Sequence, residues 1–271
     1  MNHSHLRSFS PQTVGTFWHG SPLTAYHHLC LRSFADRGHP VELFSYDSDL
    51  AVPDGVHLRD ANEIWPTERI MRYQSGFGTG SPSLHSNLFR YAMLHRFGGW
   101  WIDMDVVLLR SELPEQQIYF ARESTQHIGT GTLKFPPGHS LLADCIRECV
   151  RQGEAATWGQ TGSRLFESLV AKYDLESLAQ SYKTTHPIPW REVVILFDPA
   201  GAEEVARNCA DASFLHLYNE AWRRSEIPFD LRPPEGSYLD MLLTRHGIAM
   251  ATDRRMNFDD VRRGFAWTAT W

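Results

Sequence analysis

The sequence predicts an α/β protein whose central sheet is parallel at its start and mixed later. Three observations carry this. Residues 13–47 read as a strand, a helix and a strand with short connections. Residues 81–109 repeat the pattern, with a Gly-Gly pair turning a helix into a long apolar strand. The later half alternates short strands and helices without an internal repeat. At 271 residues, 42% of them hydrophobic, the chain can bury one sizeable core or two closely fused ones.

The elements follow in order. TVGTFW (13–18) is the first strand. Ser21 caps the next helix, Pro22 occupies its first position and Gly38 ends it. PVELFSYD (40–47) is the second strand, and the βαβ connection makes the pair parallel. Ser81 and Pro82 open a second helix that Gly98 and Gly99 close. Leu84, Leu88, Tyr91, Ala92, Leu94 and Phe97 surround it with apolar surface, so it is buried, while Asn87 and Arg90 share one of its faces. WWIDMDVVLL is then a strand, followed by strands near 117–121 and 127–134 and helices at 139–152 and 162–173. EVVILFD and SFLHLY are later strands, and GSYLDMLLTRHG a final helix.

The formal charge of −6 gives no electrostatic case for wrapping nucleic acid. Cys30, Cys145, Cys149 and Cys209 lack the spacing of a zinc or redox motif and imply a reducing compartment; Cys145 and Cys149, four apart, share a helix face and read as small buried hydrophobes. The N-terminal MNHSHLRSFSPQ lacks an apolar signal core and no stretch approaches a membrane span, so the expectation is a soluble, cytoplasmic protein. The expected organisation is a flexible tail over 1–12, one domain over 13–250, and a tail over 251–271. That last tail either packs or frays, or makes peripheral membrane contact through RRGFAWTATW.

Asp103 and Asp105 stand inside the apolar strand, where an unpaired charge costs several kcal/mol to desolvate. On a strand, residues i and i+2 project from one face, and in open α/β sheets ligands bind at the strand's carboxyl end. Two adjacent oxygen donors there suit Mn²⁺ or Mg²⁺. The alternative is two acids bonded to backbone amides. Asp47-Ser48-Asp49 has the same pattern and reads as a solvated turn.

With these residues in place, SNLFRYAMLHRFGGWWIDMDVV resembles the signature of the DXD-containing sugar transferases, a family that includes capsular-polysaccharide enzymes, fungal mannosyltransferases and α-1,4-galactosyltransferases. Ser86-Asn87, Arg90, Leu94, Gly98-Gly99, Trp101 and Asp103-Met104-Asp105 keep the family's spacing, except that Asn87 replaces an Asp. TFWHGSPL and FLHLYNEAW resemble its first strand and its C-terminal His-x-x-Asn-x-x-Trp segment. The resemblance covers residues 13 to about 247. It implies a GT-A-type, Rossmann-like nucleotide-sugar-binding fold with a mixed, mostly parallel central sheet.

It also implies a hexosyl donor, most often a UDP-sugar, a divalent metal, a glycan or lipid-linked acceptor, and retention of anomeric configuration. On that reading Asp103, Asp105 and His216 hold the metal, and Arg90 binds a phosphate or sugar hydroxyl. Asn87 contacts the donor sugar, Phe17 and Trp18 stack on the base, and Asn219 and Trp222 donate to phosphate from a lid. No carboxylate stands out as a nucleophile, which agrees with a front-face reaction. Two rivals stand beside this. One is a haloacid-dehalogenase-type phosphohydrolase, using Asp103 as nucleophile and Asp259-Asp260 on the metal. The other is a non-catalytic nucleotide-sugar-binding protein, for which Asn87 is the only support.

Overall fold

The computed structural model describes residues 9–20 and 22–270. Its elements are β1 (Val14–Phe17), α1 (Ala25–Ala35), β2 (Val41–Ser45), β3 (Val56–Asp60), α2 (Ser83–Phe97), β4 (Gly99–Ile102) and β5 (Val106–Leu108). There follow β6 (Tyr119–Arg122), β7 (Ile128–Phe135), α3 (Ser140–Gln152), α4 (Ser163–Lys172) and a 3₁₀ segment, Trp190–Phe197. The chain ends with α5 (Ala202–Cys209), β8 (Phe214–His216), α6 (Asn219–Arg224), α7 (Tyr238–Arg245) and α8 (Phe258–Gly264).

Six strands form one sheet in the order β3-β2-β1-β4-β7-β6. The β3-β2, β2-β1 and β1-β4 pairs are parallel, whereas β4-β7 and β7-β6 are antiparallel. The fold class is therefore the expected one, α/β on a mixed, mostly parallel sheet. Strand order reverses between β1 and β4, so their carboxyl ends flank the crevice where α/β sheets bind ligands.

The Gly-Gly turn has a steric cause. Gly98 and Gly99 have φ of 67° and 79°, which side-chain-bearing residues rarely adopt. A Cβ on Gly98 would fall 2.6 Å from Pro137 Cδ, and one on Gly99 2.9 Å from the Thr13 carbonyl oxygen. This lets α2 stop and β4 enter beside β1 at once.

Several expectations are corrected. Helix α1 begins at Ala25, not Pro22. Thr24 caps it by accepting from the His27 backbone N–H while His27 Nδ1 accepts from the Thr24 N–H, a reciprocal pair that the Ser21-Pro22 start lacks. Ser21 lies outside the described residues. The predicted strand over 100–109 is two strands in different sheets, because β4 ends at Ile102 and β5 pairs antiparallel with β8. EVVILFD is not a strand but part of the 3₁₀ segment. GSYLDMLLTRHG is helical but α8 follows it, and β3, α5 and α6 were not foreseen. The expected tail over 1–12 is anchored from residue 9: the Phe9 N–H donates to the Phe97 carbonyl at 3.0 Å and its ring stacks on Phe97. Residues 1–8 lie outside the described part.

Three large apolar clusters surround the sheet. Phe89, Leu94, Phe135 and Phe166 centre one between the sheet and α2–α4. Phe34, Trp100, Tyr119 and Phe214 lie in a second. Tyr26, Phe197, Trp222 and Leu239 lie in the third, which also takes Val261 and Phe265 from the C-terminal stretch. All four cysteines are free and buried. Among the described residues no helix is long and apolar enough to cross a membrane.

Candidate active site

The two acids meet in a turn, not on a pleated strand. At the end of β4 the Asp103 N–H donates to the Gly131 carbonyl at 2.7 Å, and the Val106 N–H donates back to the Asp103 carbonyl at 3.1 Å. The chain reverses across Asp103-Met104-Asp105 and leaves as β5. Pairing of Val106 with His216 then brings β8 alongside, and the Leu217 N–H donates to the Asp105 carbonyl at 2.8 Å. Ligand atoms of Asp103, Asp105 and His216 consequently lie within 4.8 Å of one another.

Each carboxylate has one oxygen committed to the protein. Asp103 Oδ1 accepts from Arg90 at 2.9 Å and from Trp101 Nε1 at 2.7 Å. Asp105 Oδ2 accepts from the Asn219 backbone N–H at 2.8 Å, an otherwise orphan donor of the first turn of α6. The other oxygens face the cluster: Asp105 Oδ1 is 3.5 Å from His216 Nε2, and a Cβ on Gly131 would lie 3.2 Å from His216 Nε2 and 3.3 Å from Asp103 Oδ2. A side chain at 131 would crowd this meeting point. Burial raises the Asp103 carboxyl above its usual range and Asp105 adds to the rise, while Arg90, His216 and the Trp101 bond oppose it.

This donor set fits a hard divalent ion through its two free carboxylate oxygens. His216 fits with one adjustment. Its Nδ1 accepts from the Tyr218 N–H at 3.1 Å, so the neutral ring carries its proton on Nε2; ligation through Nε2 would put the proton on Nδ1 and cost the bond from the Tyr218 N–H.

The cluster lines a cavity of about 1030 Å³. Phe17, Trp18, Asn87, Arg90 and Asn219 line it too. Phe17 is 5% exposed and stacks on Phe89 with centroids 4.5 Å apart, so most of its surface belongs to the core. Trp18 is half-buried, 4.2 Å from the His27 ring. Asn87 Nδ2 donates to the Tyr73 hydroxyl and Thr161 Oγ1, both at 3.2 Å.

Two expected roles change. Arg90 spends its terminal donors on the Thr130 carbonyl, Thr130 Oγ1 and Asp103, with its guanidinium 5.3 Å over Trp101. It thus orients Asp103, and the phosphate contact expected of it would have to come from what is left, the unpartnered Nε and the second Nη2 hydrogen. Trp222 is fully buried against Tyr26 and Phe197, does not line the cavity, and is not brought to a phosphate site. The phosphohydrolase rival also loses its second acidic pair. Asp259 and Asp260 are exposed on α8, ion-paired with Arg262 and Arg263, and absent from the cavity wall.

Sequence reasoning missed Glu123, His186 and Tyr218, all on the cavity wall. Glu123 follows β6, which runs parallel to β4 across β7, so a strand-end signal was available for it. Tyr218 had none: it holds φ 56°, ψ 54° at the start of α6, with its ring 4.3 Å from His216. At the outer end Arg224 lies 3.7 Å over Phe77, and Trp267 turns inward, its Nε1 donating to Ser225 Oγ at 2.8 Å.

Comparison with known proteins follows the same residues. Residues 43–122 match the family model for a glycosyltransferase sugar-binding region containing a DXD motif, and residues 134–248 match the alpha 1,4-glycosyltransferase conserved region. Lactosylceramide 4-alpha-galactosyltransferase of Pan troglodytes is 27% identical over 146 residues, 50% of this chain and 41% of that one. Alpha-1,4-N-acetylglucosaminyltransferase of Homo sapiens is 26% identical over 122 residues, 40% of this chain and 35% of that one. The solved PaToxG glycosyltransferase aligns with a TM-score of 0.47 at 10% identity, covering 96% of this chain and 86% of that one. The chain thus spans well under half the length of these curated relatives. With both characteristic regions present in sequence and the Asp-x-Asp turn at its centre, the chain belongs to the DXD-containing glycosyltransferase family.

Proposed function

We propose that the chain moves a hexose from a nucleotide sugar, a UDP-sugar in the first instance, to a hydroxyl of a glycan or glycolipid, with divalent-metal dependence and retention of configuration. One observation carries the reading: two carboxylates with free oxygens and a histidine converge at the sheet's reversal point, on the wall of a cavity large enough for a nucleotide sugar. Asp103, Asp105 and His216 would hold the metal. Bound there, a divalent ion supplies Lewis-acid neutralisation of the diphosphate leaving group. The names of the relatives, which act on lactosylceramide or transfer N-acetylglucosamine, favour an α-1,4 linkage.

The chain's own residues supply the rest. Arg90 and Trp101 fix Asp103, and the Asn219 N–H fixes Asp105, so neither carboxylate reorganises when a ligand arrives. Trp18 offers an aromatic surface at the end of β1 for the base. Asn87, held by Tyr73 and Thr161, faces the same space and is our candidate for choosing the donor sugar.

The test is a panel of UDP-, GDP- and ADP-sugars titrated with Mn²⁺ or with EDTA, scored for binding and for release of free sugar. Metal-dependent binding and release from at least one UDP-sugar is the expected outcome. Binding without turnover on any acceptor would favour the non-catalytic alternative, and indifference to every donor would end the proposal.

A further inference from the structure

A second cavity of about 710 Å³ adjoins the first and shares Glu123, Trp158, Gly159, Ser163 and Trp190 with it. Its other walls come from the 124–127 turn between β6 and β7, from the start of α4, and from Pro189 and Arg191. The fixed charges that face it are already engaged. Glu167 sits 3.4 Å from His127 Nδ1, Arg164 donates to the Trp158 carbonyl, and the Arg191 guanidinium lies 5.3 Å over the Trp190 ring. What remains is the open surface of two half-buried tryptophans, Trp158 packed on Tyr73 and Phe77 and Trp190 tilted on Trp267, with polar side chains such as Ser124, Thr125 and Gln126.

Glu123 stands at the junction of the two cavities. Among the described residues, every other carboxylate on either wall has a hydrogen-bond or ion-pair partner: Asp103, Asp105, Glu167 and Glu220. The Glu123 side chain has none, and only its backbone N–H is bonded, to the His127 carbonyl at 2.8 Å. It opens toward both cavities, beside Gly129, where a Cβ would come within 3.4 Å of Glu123 Cβ.

We propose that this second cavity is the groove for a neutral acceptor oligosaccharide. In it Trp190 and Trp158 lie against the apolar faces of sugar rings, and Glu123 accepts the hydrogen bond of the hydroxyl that receives the sugar. Tryptophan faces with a polar rim suit a ligand that is apolar on its ring faces and hydroxylated at its edge. Arg164 and Arg191 are offset in number by Glu123 and Glu167 on the same walls, so the cavity has no excess of one sign to select a phosphate or a charged peptide. A lone carboxylate at the junction bonds a hydroxyl more strongly than a neutral acceptor would. The assignment rests on the transferase reading, because it places the acceptor on the side of the cluster that the sheet opens toward.

Calorimetry on the full chain tests it, with UDP and Mn²⁺ saturating and lactose, maltose, cellobiose and a neutral Ser/Thr tetrapeptide as probes. At least one disaccharide is expected to bind. Trp190→Ala should weaken it tenfold or more beyond any change in UDP affinity. Glu123→Ala should do the same, with Glu123→Gln in between because an amide oxygen still accepts. The exposed Arg191→Ala serves as a second groove variant that does not touch the core; it uncovers the Trp190 face and should strengthen the disaccharide severalfold. Disaccharide affinity unchanged in all the groove variants overturns the proposal, as does binding of the tetrapeptide alone or of no probe while UDP and Mn²⁺ bind. Absence of UDP–Mn²⁺ binding in the unaltered chain instead refutes the donor site, and the acceptor role falls with it.

Discussion

Replacing Arg90 with methionine tests the central electrostatic argument. The Arg90 side chain is 5% exposed and Asp103 25%, so the substitution leaves a carboxylate mostly out of water with one remaining donor, Trp101 Nε1. It also strips the Thr130 carbonyl of its partner. Removing one member of a buried pair typically costs ~3–5 kcal/mol. The partial exposure of Asp103 to the cavity puts the expectation near the lower end, about 3 kcal/mol. That is a fall in Tm of roughly 6–12 °C at about 2–4 °C per kcal/mol for domains of this order of size. Arg90→Lys, which keeps the charge but not the fork of donors, should lose roughly half as much. Urea unfolding in EDTA measures both, and the cycle with Asp103→Asn isolates the pair. The double variant should be less destabilised than the two single losses added, by about 1–3 kcal/mol. Additivity within about 0.5 kcal/mol, or an Arg90→Met protein as stable as the parent, would refute Arg90 as the group that holds Asp103.

Three further outcomes are expected. Gly131→Ala places a methyl 3.2 Å from His216 Nε2 and 3.3 Å from Asp103 Oδ2, so Mn²⁺, which is expected to raise the Tm of the parent, should raise that of the variant much less while the protein still folds; an equal Mn²⁺ shift in both, by scanning fluorimetry, would count against the site. Burial pushes His27 and His85 down to about 4; Asp105 opposes the fall at His27, while His28 adds to it there and His19 adds to it at His85. Their unfolded-state value is higher, so stability should be full above pH 6.5 and decline as pH falls toward 4, by roughly 3 kcal/mol between pH 6.5 and 5, and a urea midpoint flat over that window would contradict it. Trp222→Phe should keep most of the transfer rate and lose about 1–2 kcal/mol of stability, since the ring packs between Tyr26 and Phe197 away from the cavity; loss of transfer with stability intact would return the indole N–H to the reaction.

The parts of the fold readable in sequence are those where local chemistry and burial agree. Helix α2 is apolar nearly all round and bounded by Ser-Pro and Gly-Gly, and α3 and α4 each carry one apolar face, α3 with His139 as its cap, so their positions were legible. Strand β3 was not, because Val56 is its one buried residue and an edge strand needs no apolar run. EVVILFD misled for the opposite reason. Its β-branched composition favours a strand, but the residues it buries, Val193, Leu196 and Phe197, are spaced as a helical turn spaces them. Composition spoke for one structure and the core selected another.

The site divides the same way. Spacing paired Asp103 with Asp105 and the family resemblance added His216, yet the reason offered for the acids, alternation along a strand, is not the one the molecule uses. An unbroken strand from 100 to 109 would keep both acids on one face but would carry Val106 past Gly131, and the β5–β8 pairing that delivers His216 would have no separate strand to form on. The break after Asp103 is therefore what assembles the third group: the Asp103 N–H still extends the β4–β7 ladder to the Gly131 carbonyl, and the Val106 N–H bond to the Asp103 carbonyl closes the turn. Residues that bond to the acids by side chain, such as Arg90, have a type that advertises them. Asn219 acts on Asp105 through its backbone, and Tyr218 adopts a left-handed turn that its side chain does not announce. Where the backbone does the positioning, residue identity carries little of the signal, and that is why α6 and its contribution to the cluster had to be seen.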